Sequence, residues 1–171
     1  MKQRYGSSAS EQNTADPQRV THQFAQLDEL MPLIRERLAC GQRVKLSPMG
    51  VSMLPMLREG RDSVELSAPP ERLKKYDLPL YRRADGKYIL HRVIKVGERY
   101  TCMGDNQTVA EFGIAHEQVI AVVTAFTRDG KSHSVREMGY QFYCGFWHHT
   151  RFPRRAWRGI KRRLKRLIGR A

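Results

Sequence analysis

Long apolar runs are missing from this chain, and so is any spacing of paired metal ligands. No stretch approaches the roughly eighteen consecutive apolar residues that a membrane-spanning helix needs. The longest apolar block, Val119-Ile120-Ala121-Val122-Val123, has the length of a buried strand. The amino terminus lacks the apolar segment of a secretory signal. Cysteine is scarce: Cys40, Cys102 and Cys144 are odd in number and widely spaced, which argues against a disulfide framework and fits a reducing compartment. There is no Cys-x-x-Cys or His-x-x-x-His pair, and the adjacent His148 and His149 cannot readily chelate one ion from a single strand or helix. Neither a metal nor another cofactor is therefore expected. Gly-rich phosphate loops and internal repeats are absent as well.

Acid is missing from one end of the chain. Residues 151–171 carry ten Lys and Arg and no Asp or Glu, against a formal net charge of +14 for all 171 residues. The part before this tail therefore has an ordinary balance. Within the tail, Trp157, Ile160, Leu164, Leu167 and Ile168 recur at helical spacing, with Arg and Lys on the other face. Phe146, Trp147 and Phe152 add aromatics just upstream. A basic amphipathic helix with an interfacial tryptophan suits an anionic membrane surface. A helix docked on its own domain is the second expectation. Nucleic acid comes last, since any polycation attracts phosphate without specificity.

What is present elsewhere predicts a mainly β, α+β chain. Residues 1–20 are polar and expected to be a disordered tail. Over residues 21–41, Phe24, Leu27, Leu30, Met31, Ile34 and Leu38 follow helical spacing, with Thr21 as N-cap, Gly41 as stop and Pro32 as a point where the helix bends or divides. Strands are expected at 43–46, 63–66, 78–82, 88–96, 100–103 and 119–127, with turns at Ala84-Asp85-Gly86 and Val96-Gly97-Glu98. Short strands joined by tight turns imply an antiparallel β domain over residues 42–130. Residues 131–150 then read as a connector to the basic helix at 151–171.

The candidate chemistry lies in the β domain. Gly50-Val51-Ser52-Met53-Leu54-Pro55-Met56-Leu57 puts a serine in an apolar turn limited by proline, followed by Glu59-Gly60 and Asp62. Leu90-His91-Arg92-Val93 and Gly104-Asp105-Asn106 lie downstream. A hydroxyl that attacks, an imidazole that takes its proton and a carboxylate that orients the imidazole are the parts of an acyl-transfer site. Singly, Ser52 reads as a turn residue and His91 as a half-buried strand histidine. Met53, Pro55 and Leu57 are expected to shape the turn and an apolar substrate floor.

These three ordered blocks, over residues 44–126, resemble the signal peptidase and SOS-repressor superfamily of serine peptidases. The resemblance implies a coiled antiparallel β-sheet domain of that type, and serine-type endopeptidase activity on an extended, leader-like peptide. His91 stands where other members carry a lysine, so the chain looks like the Ser-His branch of the endoplasmic reticulum and archaea. A histidine, with an ordinary pKa near ~6.5, needs no desolvation to act as base near neutral pH. Glu111 matches the position of that branch's acid, with Asp105 as the alternative. Gly50 replaces a second serine found in several signal peptidases, which leaves the oxyanion to backbone N–H groups, chiefly that of Ser52. The expected location is cytoplasmic, with a peripheral place at the inner face of the membrane. The reading from a different class is a catalytically inactive β-domain binding module, tethered to membrane or partner by its basic helix. Self-cleavage at Ala39-Cys40-Gly41 is not expected, because that glycine already has a helix-stop role.

Overall fold

In the computed structural model, which describes residues 17–151 and 153 with side chains from Leu27 onward, the chain is mainly β with two helices. Helix α1 runs from Pro17 to Ala39. It begins inside the stretch expected to be a disordered tail, with proline in the first turn, where a missing N–H costs nothing. It continues through Pro32 as one helix, burying Leu27, Met31, Ile34 and Leu38 on a single face. Its end is a Schellman closure: Gly41 N–H donates to the Leu38 carbonyl at 3.0 Å and Gln42 N–H to that of Arg37 at 2.9 Å. Gly41 has φ +72°, a conformation that glycine takes without a Cβ penalty.

The strands are β1 (Val44–Leu46), β2 (Ser63–Ser67), β3 (Pro79–Arg82), β4 (Tyr88–Leu90), β5 (Arg92–Lys95), β6 (Tyr100–Met103), β7 (Glu111–Ile114), β8 (Val119–Arg128) and β9 (Lys131–Ser134). All pairings are antiparallel. The larger sheet has the order β1-β2-β8-β3-β4, with β9 also paired to β8. Strand β8 organises it: β2 takes one edge over residues 122–127, and β3 and β9 share the other. The smaller sheet is β5-β6-β7.

The strand expected over residues 88–96 is divided at His91, the one residue between β4 and β5. The chain passes there from the large sheet to the small one. No strand is expected at β7 from its sequence, because Glu-Phe-Gly-Ile has no clean alternation. The stretch expected to be a connector also holds structure. Asp129 and Gly130, with φ +49° and +76°, close a two-residue hairpin between β8 and β9. Helix α2, Met138–His149, comes next and buries Tyr140 and Cys144 in the core. The tail read as a basic amphipathic helix lies outside the described residues, apart from Arg151 and Pro153. Among the described residues no helix is long and apolar enough to cross a membrane.

Two apolar clusters hold the layers together. One joins α1 and α2 to Val64, Leu66, Leu80, Val123 and Phe126 of the large sheet, and takes in Met53, Met56 and Leu57 from the serine turn. The other joins Tyr81, Val119 and Val122 to Val93, Tyr100, Cys102 and Ile114 of the small sheet. At roughly 1.5–3 kcal/mol for each large apolar side chain buried, three core residues within five positions anchor the serine turn well.

Candidate active site

Ser52 sits in the long turn between β1 and β2, and the loop after β6 clamps it. Asn106 N–H donates to the Ser52 carbonyl at 2.9 Å, and Asn106 Nδ2 donates to the Val51 carbonyl at 3.1 Å. On the other side, the Gly50 N–H donates to Glu59 Oε2 at 3.1 Å, with Gly50 at φ +74°. Farther along, Asp62 is buried and takes the Arg58 N–H at 2.8 Å. Pinned at both ends, the turn holds Ser52 half-buried. Among the described residues the Ser52 N–H has no backbone acceptor. It is free to serve an oxyanion.

Gly104 lets the two loops meet. A Cβ there would lie 2.6 Å from the Ser52 carbonyl oxygen and 3.1 Å from His91 Nε2. Gly104 thus marks a point where the Ser52 backbone and the far edge of the His91 ring come together.

His91 is buried, with 2% of its surface exposed, and its Nδ1 faces Glu111 Oε1 at 3.1 Å. A carboxylate can only accept, so it fixes the ring proton on Nδ1 and leaves the lone pair on Nε2, the atom beside Gly104. Glu111 is itself held. Tyr81 Oη donates to Oε2 at 2.9 Å, Arg83 Nε donates to Oε2 at 2.7 Å, and Arg83 Nη2 donates to Oε1. Burial would raise the Glu111 pKa, but the hydrogen bonds from Arg83 and Tyr81 outweigh it and keep the carboxyl below its ordinary value. Burial lowers the His91 pKa, and the nearby Arg83 charge adds to this. The Glu111 charge opposes both, and the balance falls below 6.5. A base that is neutral at physiological pH results.

Asp105, the alternative acid, has another partner. It makes a bidentate ion pair with the fully buried Arg92, with Nε to Oδ1 and Nη2 to Oδ2 both at 2.8 Å. Tyr143 Oη adds a hydrogen bond at 3.1 Å, and Trp147 Nε1 donates to the Asp105 carbonyl at 2.8 Å. Arg92 also donates to Tyr140 Oη at 2.8 Å and to the Tyr76 carbonyl at 3.3 Å. Asp105 therefore bolts α2 to the loop that clamps Ser52. It does not face His91.

Ser52 and His91 line one cleft of about 570 Å³. Its walls are mostly apolar: Leu46, Met49 and Val51 from the stretch before the serine, Leu80 from β3, Tyr88, Ile89 and Leu90 from β4, and Leu27 and Leu30 from α1. Of the residues expected in the substrate floor, Met53 lines the cleft. Pro55 and Leu57 do not: Pro55 is exposed and Leu57 belongs to the core. Arg83 and the α1 leucines are the site residues that sequence reasoning missed. Arg83 sits in the hairpin turn after β3, where a surface cation is the default assignment. No protein-family model matches the chain, and no curated protein matches it. Among the described residues no group of three or more His, Cys, Asp or Glu is placed to hold a metal ion.

Proposed function

We propose that this chain is a serine endopeptidase of the signal-peptidase-like kind, with the coiled β-domain architecture of that superfamily. It cleaves an extended peptide by Ser-His acyl transfer. The observation that carries the proposal is the setting of His91. Its Nδ1 is held by Glu111 at 3.1 Å, and its Nε2 borders Gly104, which also packs against the Ser52 carbonyl.

In this mechanism Ser52 Oγ attacks the scissile carbonyl while His91 Nε2 takes its proton. Glu111 stabilises the imidazolium, and the Ser52 N–H receives the developing oxyanion. Collapse of the tetrahedral intermediate expels the amine, which takes the proton back from His91. Water, deprotonated by the same imidazole, then releases the acyl group and restores the serine. Arg83 and Tyr81 keep Glu111 ionised throughout. The substrate chain lies extended between the stretch leading to Ser52 and β4, whose outer edge is unpaired among the described residues. A cytoplasmic enzyme, peripheral at an anionic membrane through residues 151–171, completes the proposal.

A serine-directed phosphonate probe tests it. Wild type should be labelled on Ser52 and should cleave an extended peptide library, whereas Ser52→Ala, at the wild-type melting temperature, and His91→Ala, folded but less stable because His91 is buried, should do neither. One observation favours the binding-module reading: among the described residues no hydrogen bond joins Ser52 to His91. A wild-type protein that binds peptides but resists the probe would establish that reading instead.

A further inference from the structure

Helix α2 has two aromatic faces with different fates. On the inner face Tyr140 and Cys144 are buried, and Tyr143 and Trp147 hold Asp105. On the outer face Met138, Phe142 and Phe146 are 88%, 76% and 56% exposed, and the two phenylalanine rings stack at 6.4 Å between centroids. Single exposed apolar side chains are ordinary on a protein surface. Three large ones, each one turn apart on a twelve-residue helix with no acid in its first turn, form a continuous row.

The residues downstream of α2 indicate the occupant. Helix α2 is capped at Thr150, and the sequence beyond it carries Trp157, Ile160, Leu164 and Leu167 at spacings of three, four and three. Residues 151–171 add ten basic side chains and no acid. The exposed α2 row is thus followed in the sequence by apolar residues interleaved with cations. That combination is the chemistry of a surface lying in the headgroup region of an anionic bilayer.

We propose that Met138, Phe142 and Phe146 insert into the interfacial zone of an anionic membrane, together with the basic tail that follows them in the sequence. This rests on the tail being membrane-facing and extends that reading into the domain itself. It has a consequence the tail alone lacks. The inner face of α2 is fixed to Asp105, beside the Gly104 and Asn106 that hold Ser52, so docking the outer face orients the cleft relative to the bilayer. A tail on a flexible tether would only raise the local concentration.

The test is co-sedimentation of the full chain with vesicles of phosphatidylcholine alone and of phosphatidylcholine mixed with phosphatidylglycerol. Wild type should bind the mixed vesicles, and the double substitution F142S/F146S should weaken that binding by at least about tenfold without changing the melting temperature. Equal binding by wild type and double variant would overturn the proposal while sparing the tail reading. No binding to either vesicle would overturn both. A dimer abolished by the double substitution, with no vesicle binding, would assign the row to contact between copies and overturn the proposal equally.

Discussion

Replacing Gly104 with alanine tests the close approach on which the site depends. The added methyl would meet the Ser52 carbonyl oxygen at 2.6 Å, His91 Nε2 at 3.1 Å and Gln107 Cδ at 3.2 Å, where ordinary contact begins at 3.4 Å. The Gln107 side chain can swing aside. The Ser52 carbonyl cannot move cheaply, because it accepts the Asn106 N–H at 2.9 Å and its turn is rooted in the core by Met53, Met56 and Leu57. The gap must therefore widen by about 0.8 Å, the shortfall from ordinary contact. Overpacking of this kind costs about 1–3 kcal/mol. For a chain of this length each kcal/mol lowers the melting temperature by roughly 2–4 °C. The chemical cost is larger, since a misplacement near 1 Å lowers turnover by about 100-fold. Calorimetry gives the first number and the rate of Ser52 labelling by a phosphonate probe the second. Gly139→Ala is the control: nothing lies within 4 Å of the added methyl, and alanine in a helix should be neutral or stabilising. If Gly104→Ala matched wild type in both measurements, the proximity of the Ser52 turn and His91 would be wrong.

The two carboxylates should separate by assay. Asp105→Asn leaves the buried Arg92 charge without its counter-charge and should cost about 3–5 kcal/mol in denaturant unfolding. Glu111→Gln should change stability less but lower peptide cleavage by about 10³–10⁴-fold, because an amide can favour the wrong His91 tautomer. The acid limb of kcat/KM should fall below pH 6.5, since His91 is lowered by burial and by Arg83 against the pull of Glu111. Arg83→Gln should move that limb to higher pH, read equally well by NMR titration of the His91 ring; a shift to lower pH would contradict the charge balance described. The same depression makes the His91 contribution to stability present above its unfolded pKa and lost as pH falls through the folded one. Stability of wild type relative to a His91→Gln variant should therefore shrink on acidification through that window.

Local pattern makes much of the domain legible. The strand at Tyr100–Met103 is expected with those bounds, and the Val119-rich block is expected as a strand, because alternation, β-branching and flanking turns act over a few residues. The Gly41 helix stop is equally local. Misses have local causes too. Gly113 interrupts β7, and Gly139 and Gly145 dilute the helical signal of α2. The Asp129-Gly130 pair is a hairpin signal in plain view. Arg83 has no signal at all: nothing about a cation in a turn says that it will reach across to a carboxylate on β7.

Residue types and their order determined which chemistry was available here: a serine in a rigid apolar turn, a strand histidine downstream, candidate carboxylates at Asp105 and Glu111 after it, and a tail of one charge sign. Which carboxylate meets the imidazole was decided only by the packing of the small sheet, where Cys102 pairs with Glu111 and brings that residue beside His91. Asp105 was turned away for a reason no local pattern carries. A buried guanidinium needs a counter-charge, and Arg92, next to His91 in the chain at the first position of β5, claims it.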